Sequence, residues 1–212
     1  MKSFKGVVKA RIVEARFAIS GKISNISKYT GDTVKKWGLI ASLDRKILQA
    51  ELDKELSDFE KVRADFDGFA KKYPDPQDDN KYTKAEKQAS LNSAVKSVEL
   101  AKVRLDMADL FSPVDGLILN DSNIAVGLYT TPAGSSIEIA DTSSYYFEIE
   151  IGQKDTSYFS EPKKCRVEIP GLNKKIELES KSVITDGKKF LVKIPLTGAK
   201  GILLGLNGKA NF

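Results

Sequence analysis

The 212-residue chain contains no histidine, one cysteine and one tryptophan. Without histidine it lacks the commonest general base near neutral pH and the commonest neutral metal ligand. Cys165 has no second cysteine to pair with, so cysteine usage is silent on the redox compartment. With no imidazole to activate it, Cys165 reads as a small buried hydrophobe on a strand. No apolar run approaches the ~20 residues of a membrane-spanning helix. The opening MKSFKGVVKARIV carries charges but neither an apolar stretch nor a small-residue cleavage site, so it does not read as a signal peptide. No group of residues combines a nucleophile, a base and an orienting partner, or forms a metal shell. Asp75, Asp78 and Asp79 lack the spacing of a calcium loop. The chain therefore reads as a non-enzymatic protein without cofactor or metal.

The charge that is present has an uneven distribution. Residues 44–111 hold 13 Lys and Arg against 15 Asp and Glu, and the rest of the chain holds 21 against 14. The middle segment thus lacks the basic face that a nucleic-acid-binding arm needs. The basic surplus falls in residues 1–36 and 154–209, on segments that read as strands. A solvated surface, an acidic partner or lipid headgroups would each suit it.

The same middle segment departs from the rest in its periodicity. Gly6 to Ile26 alternates, with many β-branched residues, and Tyr29 to Asp44 continues as strand, turn and strand. From Asp44 to about Tyr73 there is no proline, and Gly68 is the one glycine. Leu48, Leu52, Glu55, Phe59, Val62, Phe66, Phe69 and Tyr73 recur at steps of four and three, a heptad seam. Asp44 suits the N-cap of this helix. PDPQDDN, Pro74–Asn80, then stops it and reads as an exposed tip over residues 74–82. A second helix is expected from about Thr83 to Leu110, with Thr83 and Glu86 as a capping box. Its seam is Leu91, Ala94, Val98, Ala101, Leu105 and Ala108. Large aromatic side chains on one seam and alanines on the other can interdigitate closely. Each helix is read as having one narrow apolar stripe, filled by the other, and a short link makes the pair an antiparallel hairpin.

The two flanks of this hairpin repeat each other. Gly21–Asp44 and Gly116–Asp141 both open with glycine on an apolar strand, GKISNI and GLILND. Each has a second glycine about ten residues on, Gly31 and Gly127, beside Val34 and Leu128. Each reaches a third, Gly38 and Gly134, and ends in an alternating strand closed by aspartate, GLIASLD and GSSIEIAD. The repeat implies two half-domains, each too short for its own core, related by a pseudo-twofold axis.

GKISNISKYTGDTVKKWGLIASLD before the helices and FSPVDGLILNDSNIAVGLYTTPAGSSIEIAD after them resemble the split biotinyl/lipoyl-like domain of the membrane fusion proteins. These are also called periplasmic adaptors, of HlyD-like type. SSYYFEIEIGQKD and LLGLNGKANF resemble strands of that family's β-barrel domain, so the likeness spans almost the whole chain. Residues 145–212 support a small barrel independently. Phe147, Ile149 and Ile151 alternate with polar neighbours, and Asp186-Gly187 and Pro170-Gly171 mark turns.

The resemblance implies an α+β, mostly β fold: a split lipoyl-like β-sandwich, an inserted antiparallel coiled-coil hairpin and a small β-barrel. The division expected is residues 1–14 as a strand joining the barrel, 15–43 and 112–142 as the lipoyl-like halves, 44–111 as the hairpin, and 143–212 as the barrel. It further implies an adaptor for an efflux or secretion transporter. The protein would be extracytoplasmic and anchored to the membrane through a segment absent from this sequence. A homo-oligomeric ring would contact a cytoplasmic-membrane transporter of ABC or RND type, with no nucleic-acid partner. The hairpin tip, Tyr73, Pro74, Asp75, Pro76, Gln77, Asp78, Asp79 and Asn80, is the expected partner contact. An outer-membrane exit duct is the weaker expectation, because RADFDGFAKKYPDP shares only Arg63 with the family's Arg-Leu-x-x-Leu pattern. Trp37 stands where the family often has a small or polar residue. Two other readings stay open: a biotin or lipoate carrier modified at Lys46, and a coiled-coil scaffold unrelated to transport.

Overall fold

The computed structural model of the chain describes residues 2–74, 78–170, 174–185, 187, 189–196 and 203–212. In chain order come β1 (Ser3–Lys9), β2 (Ile12–Ala15), β3 (Gly21–Ile26), β4 (Thr33–Val34) and β5 (Leu39–Leu43). Two long helices follow, α1 (Lys46–Lys72) and α2 (Asp78–Asp106). The chain then returns to strands with β6 (Asp109–Phe111), β7 (Gly116–Asn120), β8 (Tyr129–Thr130), β9 (Ile137–Asp141) and β10 (Tyr146–Ile151). A 3-10 turn at Gln153–Phe159 precedes β11 (Lys164–Ile169), β12 (Lys174–Glu179), β13 (Ile184–Thr185), β14 (Phe190–Pro195) and β15 (Asn207–Asn211). The fold is thus mixed and mostly β.

Two four-stranded sheets share one apolar core, ordered β2-β9-β7-β4 and β6-β5-β3-β8. The halves exchange strands: short β4 pairs with β7 across the repeat, and short β8 pairs with β3. The outer strands are exchanged too, since β2 lies on β9 and β6 lies on β5. Each repeat is therefore longer than Gly21–Asp44 and Gly116–Asp141 suggest, because each includes a leading strand that completes the other half. The turns obey the same symmetry. Gly31 and Gly127 sit at φ 93° and 92°, and their N–H groups donate to the carbonyls of Ile118 and Ile23 respectively. Ile23 and Ile118, each 1% exposed, are equivalent core residues.

The seven-stranded antiparallel sheet runs β12-β11-β15-β1-β10-β14-β13 and curls around a second core. The ring of Phe147, fully buried on β10, lies over Gly6 on β1 and Gly208 on β15, which are cross-strand partners of each other. A Cβ at Gly6 would overlap the Glu148 carbonyl and the Phe147 ring, so this ring position requires glycine there. The single strand expected over residues 1–14 breaks after Lys9: β1 belongs to the seven-stranded sheet and β2 to the other core. The chain thereby crosses between cores twice, at Ala10–Arg11 and again just beyond Asp141.

α1 and α2 pack side by side, running in opposite directions. Arg45 and Asp109 pair at their base, 3.4 Å apart, and Lys87 and Asp65 pair further out at 2.5 Å. The N-cap of α1 is Arg45, without a side-chain cap, rather than the expected Asp44. The Asp44 carboxylate, one residue earlier, accepts from the Lys46 N–H at 3.0 Å. α2 begins at Asp78, five residues ahead of the expected Thr83, so Thr83 lies inside the helix and forms no capping box at its start. The helix also ends sooner than expected, at Asp106, and the last residues of the expected span form β6 instead. No proline or glycine separates Asn80 from Thr83, and the early start gives α2 an extra turn of hydrogen bonds.

Candidate interaction surfaces

The expected tip straddles the end of α1 and the start of α2. Tyr73 closes α1: its N–H donates to the Phe69 carbonyl at 3.0 Å, and its half-buried ring lies 5.0 Å from that of Phe69. The Lys72 ammonium lies 5.3 Å from the Tyr73 ring centroid. Pro74 is exposed and Asn80 is half-buried. Asp75, Pro76 and Gln77 lie outside the described residues, and Asp78 and Asp79 open α2.

Behind the tip, Leu48, Leu52, Glu55, Phe59, Val62, Phe66 and Phe69 are all half-buried along α1. On α2, Leu91, Ala94 and Val98 are half-buried, while Ala101 and Leu105 fall to 7% exposure and Ala108 to 0%. Burial deepens toward the base because Leu48, Ala108 and Leu110 join the core of the four-stranded sheets. The heptad spacing of the sequence places these side chains on facing sides of the pair. One stripe per helix does not describe α2, however. Leu100 and Val103 are exposed on its far side, at 55% and 48%, and Met107, in the turn just past its end, at 38%.

Lys46 opens α1 rather than lying at a tight turn between strands, the position that a swinging arm requires. Cys165 is buried on β11, and burial pushes its thiol up to about 11. A thiol so far from ionised at neutral pH is a poor nucleophile.

The lysines of the seven-stranded sheet are less available than their number suggests. Lys9 reaches Glu148 at 2.5 Å, and Lys189 reaches Glu150 at 2.7 Å. The hydrogen bond to Glu148 raises the Lys9 ammonium above its ordinary value. Lys193 stacks over Tyr146 at 4.6 Å, and Lys2 and Lys163 each lie 4.8 Å from the Tyr158 ring. Cross-strand pairing thus neutralises part of the basic surplus.

The most enclosed carboxylate among the described residues was not singled out by the sequence. Asp141, 2% exposed, lies at the crossing between the two cores. Its carboxylate accepts from Arg11 at 2.6 Å and from the Ser143 hydroxyl and N–H at 2.6 and 2.9 Å. Its own N–H donates to the Arg11 carbonyl at 2.9 Å. Burial alone would raise the carboxyl, but the bonds from Ser143 and Arg11 outweigh it and hold the group below the ordinary value. The Arg11 N–H donates to the Ser144 hydroxyl at 2.8 Å and completes the junction. The ending of IEIAD on aspartate signalled the repeat, but its role as a lock depends on Arg11, 130 residues away in sequence.

Trp37 also stands out. It has φ 65°, the left-handed region that a bulky residue seldom adopts, and is 72% exposed. Its N–H donates to the Ser112 carbonyl at 2.8 Å, which holds the turn against the end of β6. Phe111, on that edge strand, is 42% exposed. On the opposite edge of the same sheet, β8 presents Tyr129 at 66% exposure beside Leu128 at 45%.

Among the described residues no group of His, Cys, Asp and Glu could hold a metal ion. No described helix is long and apolar enough to cross a membrane.

No family model matches the sequence, and neither does any curated protein. Solved structures do match along the whole chain. A MacA–MexA chimeric protein containing the Pseudomonas aeruginosa MexA α-hairpin domain superposes with a TM-score of 0.83 at 18% identity, over 99% of this chain and 80% of that one. The membrane fusion protein Spr0693 from Streptococcus pneumoniae R6 gives 0.78 at 16% identity, over 100% and 98%. The periplasmic adaptor protein EmrA gives 0.52 at 14% identity, over 99% and 98%. At such identities the likeness is one of architecture, and it covers both β cores and the helix pair together. The chain has the fold of the membrane fusion, or periplasmic adaptor, proteins.

Proposed function

We propose that the chain is a non-enzymatic adaptor subunit of an efflux or secretion transporter, acting outside the cytoplasm. The observation that carries this reading is the full-length match in fold to membrane fusion and periplasmic adaptor proteins. It is supported by the split β core, whose halves exchange strands around an inserted helix pair. In this reading residues 15–43 and 112–142 form a lipoyl-like domain and residues 44–111 a coiled-coil hairpin. Residues 143–212, with β1 (Ser3–Lys9), form a β-barrel. The barrel faces a membrane transporter of ABC or RND type, and the hairpin tip, Tyr73–Asn80, meets the next component along the path. The chain assembles as a homo-oligomeric ring. Apolar residues on both edges of the β6-β5-β3-β8 sheet favour this, since a patch on each of two opposite edges suits head-to-tail joining.

Photo-crosslinking in the full-length protein, in the cells that make it, tests the proposal. A probe at Lys189 should capture an integral membrane transporter, and one at Gln77 a second copy or an exit duct. Capture of cytoplasmic enzymes or nucleic acid at both positions would overturn the adaptor reading.

A further inference from the structure

The turn Lys35–Gly38, between β4 and β5, holds a strain that the fold does not require. The Gly38 N–H closes it on the Lys35 carbonyl at 2.8 Å. Trp37, its third residue, has φ 65°, where a large L-side chain crowds its own backbone. Glycine, which enters that region freely, stands one position later. The repeat supplies the comparison, because Gly134 is the counterpart of Gly38. Its N–H closes the equivalent turn on the Thr131 carbonyl at 2.9 Å. The third residue there, Ala133, has no positive φ. One connection is therefore made twice, once relaxed and once with a bulky residue in the left-handed region.

Burial does not account for the strain. The indole is 72% exposed, with the Lys36 ammonium 5.5 Å from its ring centroid. A strained residue whose side chain stands in solvent suits a contact made from outside the chain. The backbone beneath it is held firmly. The Trp37 N–H donates to the Ser112 carbonyl at 2.8 Å, and the Ser112 N–H donates to the Gly38 carbonyl at 2.9 Å.

The neighbouring charges narrow the choice of partner. The Lys35 side chain is 90% exposed, and its ammonium lies 4.0 Å from the Asp115 carboxylate. The same carboxylate accepts from the Lys36 N–H at 3.1 Å. Two ammonium groups thus share one carboxylate, and the rim of the ring is net positive. The place of the turn narrows the choice further. β5 runs from the turn to α1, so the turn lies at the end of its sheet away from the helix pair. Thr142, next to Asp141, donates its N–H and its hydroxyl to the Asp115 carbonyl, each at 3.0 Å. The turn therefore stands beside the crossing to the seven-stranded sheet. Its partner Ser112 lies just past the end of β6, off the edge given above to the ring joint.

We propose that Trp37, with Lys35 and Lys36, anchors the chain in an acidic-rimmed pocket on the extracytoplasmic face of the membrane transporter. This rests on the adaptor reading and adds a second contact to that of the barrel. Tryptophan is enriched among the residues that dominate interface energies, and exposed lysines steer an acidic partner. A second copy matches less well, since outside residues 44–111 the chain holds 21 Lys and Arg against 14 Asp and Glu. Fixing the ring before docking lowers the ordering cost of binding.

The test uses the full-length protein in the cells that make it. A carbodiimide joins amines directly to carboxylates, so it reads an acidic rim without altering the turn. Lys35 or Lys36 should become joined to an Asp or Glu of the same integral membrane transporter that the Lys189 photo-probe captures. Trp37→Asn should cut that product ~tenfold. Asparagine tolerates a positive φ, so the thermal midpoint of this variant should equal or exceed that of the parent. A midpoint several degrees lower would make Trp37 a structural residue and overturn the proposal. An undiminished product, or lysines joined only to carboxylates of this chain, would overturn it too. If Lys189 captures the transporter and the two lysines do not reach it, the anchor is wrong and the adaptor reading stands. If neither reaches a transporter, both fall.

Discussion

Asp141 offers the sharpest test of how the two cores are joined. Its carboxylate takes three hydrogen bonds from Arg11 and Ser143 while 98% shielded from solvent. Bonds to a charged group contribute ~1.5–3 kcal/mol, and a buried donor left unpaired costs ~1–3 kcal/mol. Asp141→Ala strands the Ser143 N–H and the Arg11 guanidinium, so unfolding free energy should drop by ~3 kcal/mol. Asp141→Asn retains one acceptor and should cost ~2 kcal/mol. Arg11→Ala should cost only ~1 kcal/mol, because the Arg11 side chain is 66% exposed and the Ser143 bonds survive. The pH dependence has a defined sign. The folded carboxyl lies below its ordinary value, so its contribution is present above the unfolded pKa of ~3.9. It is lost as pH falls through the lower folded value. Urea unfolding followed by circular dichroism at pH 7 and in steps below pH 5 would measure both effects. Asp141→Asn should also flatten the acid limb relative to the parent. Equal stability of Asp141→Asn and parent at pH 7, with superimposable acid limbs, would refute the assignment of Asp141 as the lock.

Three further outcomes follow from the packing. Gly6→Ala would force a Cβ into the Glu148 carbonyl and the Phe147 ring, so thermal unfolding should show a loss of at least ~2 kcal/mol. A change within error would mean that the ring is not seated as described. Gly31→Ala and Gly127→Ala each meet no crowding closer than 3.9 Å, so their cost is that of a positive φ, ~1 kcal/mol and equal for the two if the halves are true equivalents. Cys165, buried with its thiol pushed up to about 11, should react with a thiol reagent at pH 8 far more slowly in the native protein than in urea. Equal rates would place it at the surface.

Much of the architecture was written in local patterns. The change from period two to heptad spacing at Asp44 located α1 to within two residues, because propensity and seam agreed there. The glycines located the repeat, because a positive φ at Gly31 and Gly127 is a demand that few other residues meet. Strand ownership was not legible. Ile12–Ala15 is too short and generic to declare that it pairs with Ile137–Asp141 rather than continuing β1. The start of α2 was misplaced because Thr83 and Glu86 have the sequence spacing of a capping box, whereas Asp78–Asp79 follows prolines that favour a longer link. The second face of α2 was missed because alanines and one lysine dilute its stripe, and only exposure in three dimensions separates it from the first. The Asp141 lock was invisible for a different reason: its partner is set by topology, not by spacing.

The insertion of the helix pair also bears on how the small β core closes. Sixty-odd residues separate β5 from β6, yet the two strands are direct neighbours. A flexible loop of that length would carry a closure cost growing as (3/2)RT ln n. The helices remove most of it. They can form from short-range contacts alone, and once zipped they deliver residues 45 and 109 to within ion-pairing distance, 3.4 Å. To the strands, the long insertion then behaves as a tight connection. The slow search is left to β2 and β9, whose pairing spans more than 120 residues of chain. A nick between the helices should therefore be tolerated, because the two fragments would carry their own dimerisation device into the fold.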